Sequence, residues 1–280
     1  MTLELILIPL TLIALAIAAY TDIKTREVPD WLNYGFLFAV LGIRAIFSLE
    51  EGWGIFLAGI LGFAVCFILA CLFYYTKQWG GGDSKLLMGM GAVLGISYPL
   101  TNESLTLLWF FLAVLFIGSF WGILWMILKA YPQRKACRTL AQKYLVVHKT
   151  LHLSLVILTV FLVIPVVYFL PLWPLLFFPL GMFYLFVFIT SVEKTSFIHP
   201  IPLSKVTEGD WLAEDVHHKG TCVMPAKTLE KEDIAKLKHL AISTIIVKEG
   251  VPFTPSFLAS YVLILLGKDF FTLILSALFT

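Results

Sequence analysis

Residues 3–22 read LELILIPLTLIALAIAAYTD, an apolar run that ends in an acid at Asp22. A helix of about 20 apolar residues is long enough to cross the roughly 30 Å hydrocarbon core of a bilayer. Because no basic residue precedes this run and many apolar runs follow it, we interpret it as a retained anchor rather than a cleaved signal sequence. The run therefore predicts a membrane protein whose first span lies near the N-terminus.

The rest of the chain shares this apolar character. Of its 280 residues 60% are hydrophobic and only 14% are charged, and the mean hydropathy is +0.92. Such a composition excludes a disordered chain, a collagen-like repeat and a small secreted module held by disulfides. Its four cysteines are scattered, so we expect reduced thiols.

Eight apolar runs are long enough to be considered as membrane spans. They cover residues 3–21, 32–49, 54–75, 84–100, 104–129, 153–170, 172–192 and 254–279. The polar segment 195–252 has a helix pattern over 229–240, opened by Thr228, and a β-branched strand pattern over 244–247. We therefore predict an all-α polytopic membrane protein of about eight transmembrane helices, with a small α+β cytoplasmic domain near the C-terminus.

The same pattern predicts how the chain is organised. A membrane core of about five helices precedes a basic cytoplasmic loop, two further membrane helices, the small cytoplasmic domain and a C-terminal membrane helix. The predicted ranges are 1–130, 131–152, 153–192, 193–253 and 254–280.

The basic residues predict the orientation. With eight spans and the N-terminus outside, 18 of the 20 lysines and arginines fall on one side of the membrane. The positive-inside rule makes that side the cytoplasm. The two exceptions are Arg44 and Lys268, and the sequence leaves the role of Arg44 open.

Two aspartates stand at the ends of predicted spans. Asp22 closes the first run and Asp83 opens the fourth, so the topology brings both to the cytoplasmic face at one depth, where they can meet. Acids at such positions serve either a functional site or simple charge placement at helix ends. In the second case Asp83 is a helix cap, and Asp22 pairs with Lys24 or Arg26.

Glycines surround the second aspartate. Gly80, Gly81 and Gly82 precede it, and they favour either a close approach of another backbone or an ordinary turn. Gly91 and Gly95 form a face of small residues that predicts close packing of this helix on a neighbour.

The residues around both aspartates resemble a known family. Residues 22–33 (DIKTREVPDWLN) and 80–86 (GGGDSKL) resemble the two motifs of the type IV prepilin peptidases, which are membrane aspartyl proteases with a GxGD signature. Residues 246–257 (IVKEGVPFTPSF) are similar to the C-terminal region of the archaeal preflagellin and prepilin peptidases. The segment 130–192 resembles nothing that we can name.

This resemblance implies an endopeptidase in which Asp22 and Asp83 form the catalytic pair. Two adjacent carboxylates share one proton, so one activates water while the other protonates the substrate. The implied substrates are prepilin or preflagellin precursors with a short basic leader before an apolar helix, cut at the cytoplasmic rim of the cell membrane. Besides that precursor, the lipid bilayer is the expected partner, and no nucleic acid is expected.

Four further residues in these motifs are weaker candidates. Lys85 either influences the aspartates or holds substrate, or it extends to the membrane surface as a helix-end lysine. Arg26, Pro29 and Asp30 either order the loop after Asp22, which we favour, or contact the leader.

Metal and cofactor sites are not expected. His217, His218 and Cys222 have side chains that can bind metals, but no second cluster completes a site and the chain has no HExxH motif. Trp31 and Trp79 are typical of anchors at the membrane surface.

Two other functions compete with proteolysis. In a transporter, Asp22 and Asp83 would carry protons or bind a cation beside a helix broken by glycines. In a non-catalytic assembly protein of a pilus or archaellum, the small polar domain would provide the contact surface.

Overall fold

The computed structural model describes residues 2–100, 104–168, 173–218, 221–240 and 242–267. The chain forms two compact units, one comprising Met1–Ile123 with Val251–Thr280 and the other Leu124–Gly250. The predicted break at Pro171 and the end of the predicted last span, 268–279, lie outside the described residues.

The described residues are mostly helical. The helices are α1 (Leu3–Thr25), α2 (Asp30–Glu51), α3 (Gly54–Tyr75), α4 (Gly81–Leu94), α5 (Leu105–Ala130), α6 (Arg134–Val147), α7 (Lys149–Tyr168), α8 (Trp173–Val192), α9 (Lys231–His239) and α10 (Thr254–Leu266). Each of the eight predicted apolar runs overlaps one of them. The remaining two, α6 and α9, lie in the predicted basic loop and in the small polar domain.

Several of these helices can cross a membrane. Five are long and apolar enough, or six if the bent pair formed by α6 and α7 is taken as one span. The five are Leu3–Thr25, Asp30–Glu51, Gly54–Tyr75, Leu105–Ala130 and Phe177–Phe197. The last of these ranges comprises most of α8 and the helical turn that follows it. The chain is therefore a multi-pass membrane protein. The predicted fourth span differs most, because α4 has 14 residues and a length of about 21 Å, less than the bilayer core.

Close contact with α3 positions this short helix. A Cβ atom at Gly62 would lie 2.1 Å from the carbonyl oxygen of Gly91, and one at Gly91 would lie 2.4 Å from that of Gly62. Only glycine permits such an approach of two backbones. The predicted close packing through the small-residue face of α4 is confirmed.

Arg44 of α2 binds near the C-terminal end of α4. Its side chain is buried and donates hydrogen bonds to the carbonyl oxygens of Val93, at 2.6 Å, and Ile55, at 2.8 Å. The last carbonyls of a helix have no partners within it, and hydrocarbon offers none. Arg44 satisfies one such carbonyl and so helps α4 to end inside the bundle, at Gly95.

In the second unit, the basic segment predicted as a loop contains a helix. The axis turns by 78° between α6 and the described part of α7. A single π-helical turn, Glu193–Phe197, connects α8 to the first strand.

The polar segment after α8 is a small α+β domain, as predicted. One sheet has the strand order β1-β5-β2 (Ile198–Pro202, Thr244–Lys248, Trp211–Leu212), and β3 and β4 (Val216–His218, Thr221–Met224) form a hairpin. Leu212, Leu229 and Leu237 are fully buried in its core. The predicted strand over 244–247 is confirmed, but the N-cap of α9 is Glu230 rather than Thr228. The backbone N–H of Glu230 donates to Asp233 at 3.0 Å, which fixes the later start.

Candidate active site

Asp22 and Asp83 are brought together by a third residue, Thr254. Asp22 lies in the last turn of α1 and is buried, and Asp83 lies in the first turn of α4. The backbone N–H of Thr254 donates to Oδ2 of Asp22 at 2.9 Å, and its hydroxyl donates to Oδ1 of Asp83 at 3.2 Å. The two carboxylates therefore share one hydrogen-bonding residue, although their catalytic roles stay predictions.

Thr254 is the site residue that the sequence reasoning missed. It is the first residue of α10, and the N-cap before it is Phe253. A threonine next to a proline is typical of a helix start, so its type alone gave no sign of contact with acids. The only available signal was the resemblance of residues 246–257 to archaeal peptidases.

The loop after Asp22 is ordered by local contacts. Arg26 adopts a left-handed conformation with φ of 61°, and its N–H donates to the carbonyl of Asp22 at 3.0 Å, which ends α1. Val28 is buried, Pro29 is the N-cap of α2, and Asp30 is its first residue. These positions agree with a loop-ordering role for the motif.

Lys85 contacts this loop region instead of extending alone to the surface. Its Nζ lies 2.5 Å from Oδ1 of Asp30 and 5.3 Å from the centre of the Tyr34 ring. The ion pair connects the first turn of α4 to the first turn of α2. The alternatives predicted for Lys85, contact with the aspartates or substrate and a helix-end lysine at the membrane surface, stay predictions.

The three glycines have different surroundings. Gly80 is the N-cap of α4, and a Cβ atom there would lie 3.7 Å from Oδ2 of Asp83. Gly81 and Gly82 are already helical, and a Cβ atom at Gly82 would lie 3.2 Å from Cβ of Val28. Gly82 thus faces the side chain of Val28 in the loop after Asp22, and a methyl group there would require a shift of only a few tenths of an ångström.

Aromatic rings hold the segment that carries Thr254. The Trp79 ring stacks on Phe73 at 4.8 Å and lies 5.3 Å from Phe253 and 5.6 Å from Phe257. The Trp121 indole N–H donates to the carbonyl of Pro252 at 2.7 Å. Trp79 therefore packs beside the site, whereas Trp31 is exposed as an anchor at the membrane surface would be.

The other candidate residues lie apart from the aspartates in the sequence and in a different unit. His217 and Cys222 are paired across the hairpin of β3 and β4. Within the described residues, no group of three or more histidines, cysteines or acids is close enough to hold a metal ion. No disulfide joins any of the four cysteines in the part of the chain that the structure describes, and their reduced state stays a prediction.

Comparison with known proteins identifies the region that carries the two aspartates. Residues 10–127 match the model of the type IV leader peptidase family. The resemblance predicted from the two motifs is confirmed. The matched range contains Asp22 and Asp83 but ends well before Thr254.

The curated relatives that the chain resembles are preflagellin peptidases. The chain is 35% identical over 130 residues to a preflagellin peptidase of Methanococcus voltae, covering 43% of this chain and 53% of the relative. It is 32% identical over 87 residues to a preflagellin peptidase of Methanococcus maripaludis, covering 29% and 36%, and 34% identical over 83 residues to one of Methanocaldococcus jannaschii, covering 29% and 35%. The matches thus span about half the length of these relatives or less. No solved structure gives a significant match to the chain.

Proposed function

We propose that this chain is a membrane aspartyl endopeptidase that removes a short basic leader from prepilin-like or preflagellin-like precursors. The observation that carries the proposal is the shared contact of Asp22 and Asp83 with Thr254. The similarity of residues 10–127 to leader peptidases, together with the names of the curated relatives, favours this activity over a transporter.

The proposed chemistry needs only the two carboxylates and water. The charged aspartate takes a proton from water as the water oxygen attacks the scissile carbonyl carbon. The protonated aspartate donates to the carbonyl oxygen, and a proton then passes to the leaving amine as the C–N bond breaks. Because two carboxylates in one site hold one proton between them, both roles are available at the same time.

The proposed orientation has the N-terminus outside and the active site at the cytoplasmic face. The distribution of 18 of the 20 basic residues on one side supports it, provided that all eight predicted runs cross the bilayer. Among the helices that overlap the eight predicted runs, α4 and α10 are the shortest. A leader held in the cytoplasm by its basic residues then reaches the site from that side.

A cleavage assay with the purified full chain tests the proposal. The substrate is an archaellin or pilin precursor with its basic leader, and mass spectrometry identifies the new terminus. We expect one cut between the leader and the apolar helix that persists in EDTA, since no metal takes part. Absence of cleavage by the wild-type chain, or loss in EDTA that zinc restores, would overturn the proposal.

A labelling experiment tests the orientation. In a cysteine-free background, a cysteine at Glu50 should react with an impermeant thiol reagent added outside intact cells. A cysteine at Glu232, exposed on α9, should react only after permeabilisation. The reverse pattern would contradict the orientation without affecting the proposed chemistry.

A further inference from the structure

The contact of Thr254 with both aspartates bears on the mechanism of cleavage. The following inference rests on the proposed peptidase function. We propose that Thr254 is a positioning residue that assigns different roles to the two aspartates, with Asp22 as the base that activates water and Asp83 as the carrier of the proton. The residue lies outside the range that matches the leader peptidase family. The proposed active site thus includes a third segment of the chain.

The types of hydrogen bond support this division of roles. A backbone N–H can only donate, so the bond from Thr254 to Oδ2 of Asp22 favours the charged carboxylate. A hydroxyl both donates and accepts, so the Thr254 side chain can remain bonded to Asp83 whether or not that acid holds the proton.

The Thr254 hydroxyl is not engaged as a helix cap. The N-cap of α10 is Phe253, whose side chain has no polar atom. Thr254 instead directs its hydroxyl at Oδ1 of Asp83, a residue of another helix. This placement distinguishes the residue from a threonine that only starts a helix.

Packing fixes the backbone that places Thr254. The Trp121 indole binds the carbonyl of Pro252, and Ser256 donates to the carbonyl of Phe253 at 2.7 Å. A Cβ atom at Gly118 would lie 2.2 Å from the Phe253 ring, so the ring lies directly on the α5 backbone. A donor held in this way keeps its geometry through the reaction, as catalytic sites require.

Substitutions in the full-length chain test the inference. Thr254→Val keeps the shape but removes the hydroxyl, whereas Thr254→Ser keeps the hydroxyl and removes a methyl group. We expect Thr254→Val to lower kcat by about 10- to 100-fold with little change in KM, and to shift the pH profile of kcat. Thr254→Ser should remain within about threefold of the wild-type kcat and keep its pH profile.

Thr21→Val is the matched control. Thr21 precedes Asp22 directly, and its hydroxyl donates to the carbonyl of Ala18 within its own helix. We expect wild-type kcat and an unchanged pH profile from this control. Thermal unfolding of all variants shows whether a loss of activity reflects a loss of folded protein.

The outcomes separate this inference from the proposed function. Wild-type kcat and pH profile in Thr254→Val, while Asp22→Asn is inactive, would overturn the inference and leave the peptidase intact. If Thr254→Val does not fold, Thr254→Ser decides: near-normal kcat with an unchanged pH profile supports the inference, and a loss as large as that of Asp22→Asn refutes it. If the wild-type chain does not cleave the precursor, the proposed peptidase function itself is overturned.

Discussion

Arg44 in the membrane unit and Lys227 in the small domain both bind oxygen atoms with a basic side chain, but in opposite surroundings. Arg44 is only 6% exposed and donates to two backbone carbonyls of neighbouring helices. Lys227 pairs with Asp233 at 2.7 Å while 41% of its side chain is exposed. Water can replace the partner of Lys227, whereas nothing in hydrocarbon can replace Arg44. The contacts of Arg44 therefore hold helices together, whereas the contact of Lys227 lies at the protein surface.

The largest expected effect on stability comes from separating α3 and α4, the two helices whose carbonyls Arg44 binds. Gly62→Ala places a methyl group 2.1 Å from the carbonyl oxygen of Gly91, so α3 and α4 must separate. We expect the free energy of unfolding to fall by about 3 kcal/mol or more, the upper end of overpacking costs, with a loss of cleavage. Thermal unfolding of the detergent-solubilised chain measures the change.

Gly42→Ala is its control, because a Cβ atom at Gly42 has no neighbour within 4 Å. It should leave stability and cleavage unchanged. Equal stability of the two alanine variants would mean that close backbone contact does not position α4.

Removing the buried cation should have the next largest effect. Arg44→Met leaves the carbonyls of Ile55 and Val93 without the donors they have now, and an unsatisfied buried group costs about 1 to 3 kcal/mol. We expect a loss of stability of about 2 kcal/mol, with lower cleavage because α4 carries Asp83. Arg44→Lys should recover part of both, since an ammonium can still donate but lacks the planar fork. If Arg44→Met unfolds at the same temperature as the wild type, Arg44 stabilises the chain no more than Lys227 does.

The exposed pair should have the smallest effect. The hydrogen bond from Lys227 holds the pKa of Asp233 below its usual range, so the stabilisation is present above the ordinary aspartate pKa and is lost as the pH falls through the lowered value. Screening by water makes this contribution small, and Lys227→Met should unfold within experimental error of the wild type at neutral pH. A clear destabilisation at neutral pH that disappears in acid would show that the surface pair matters more than its exposure indicates.

Long apolar runs were predictable from the sequence because the bilayer sets their length. Each predicted run overlaps a helix, and the strand at Thr244–Lys248 followed from its β-branched residues. The fourth run, 84–100, was the shortest of the eight, but the end of α4 at Leu94 was not predicted, because residues 95–100 are apolar enough to extend a span. The helix ends at Gly95, where φ is 69°, and Arg44 binds the carbonyl of Val93 just before this end. Arg44 lies far away in the sequence, and no local pattern reveals this pairing.

The candidate site was predictable only in part. Asp22 and Asp83 stand out because acids are rare beside membrane spans and because topology brings them to one face. The pairing of Lys85 with Asp30 and the contact of Thr254 with both aspartates depend on how three helices pack, which sequence spacing does not encode. Long-range packing therefore accounts for most of what was missed.

The central claim is that Asp22 and Asp83 act as one catalytic unit, and a comparison of single and double variants tests it most directly. Cleavage of one precursor would be measured for Asp22→Asn, Asp83→Asn and the double variant, with thermal unfolding as a check on folding. We predict that each single variant loses at least about 1,000-fold in kcat and that the double variant loses no more, because residues that act as a unit are not additive. Substantial cleavage by either single variant, or losses that multiply in the double variant, would contradict the claim.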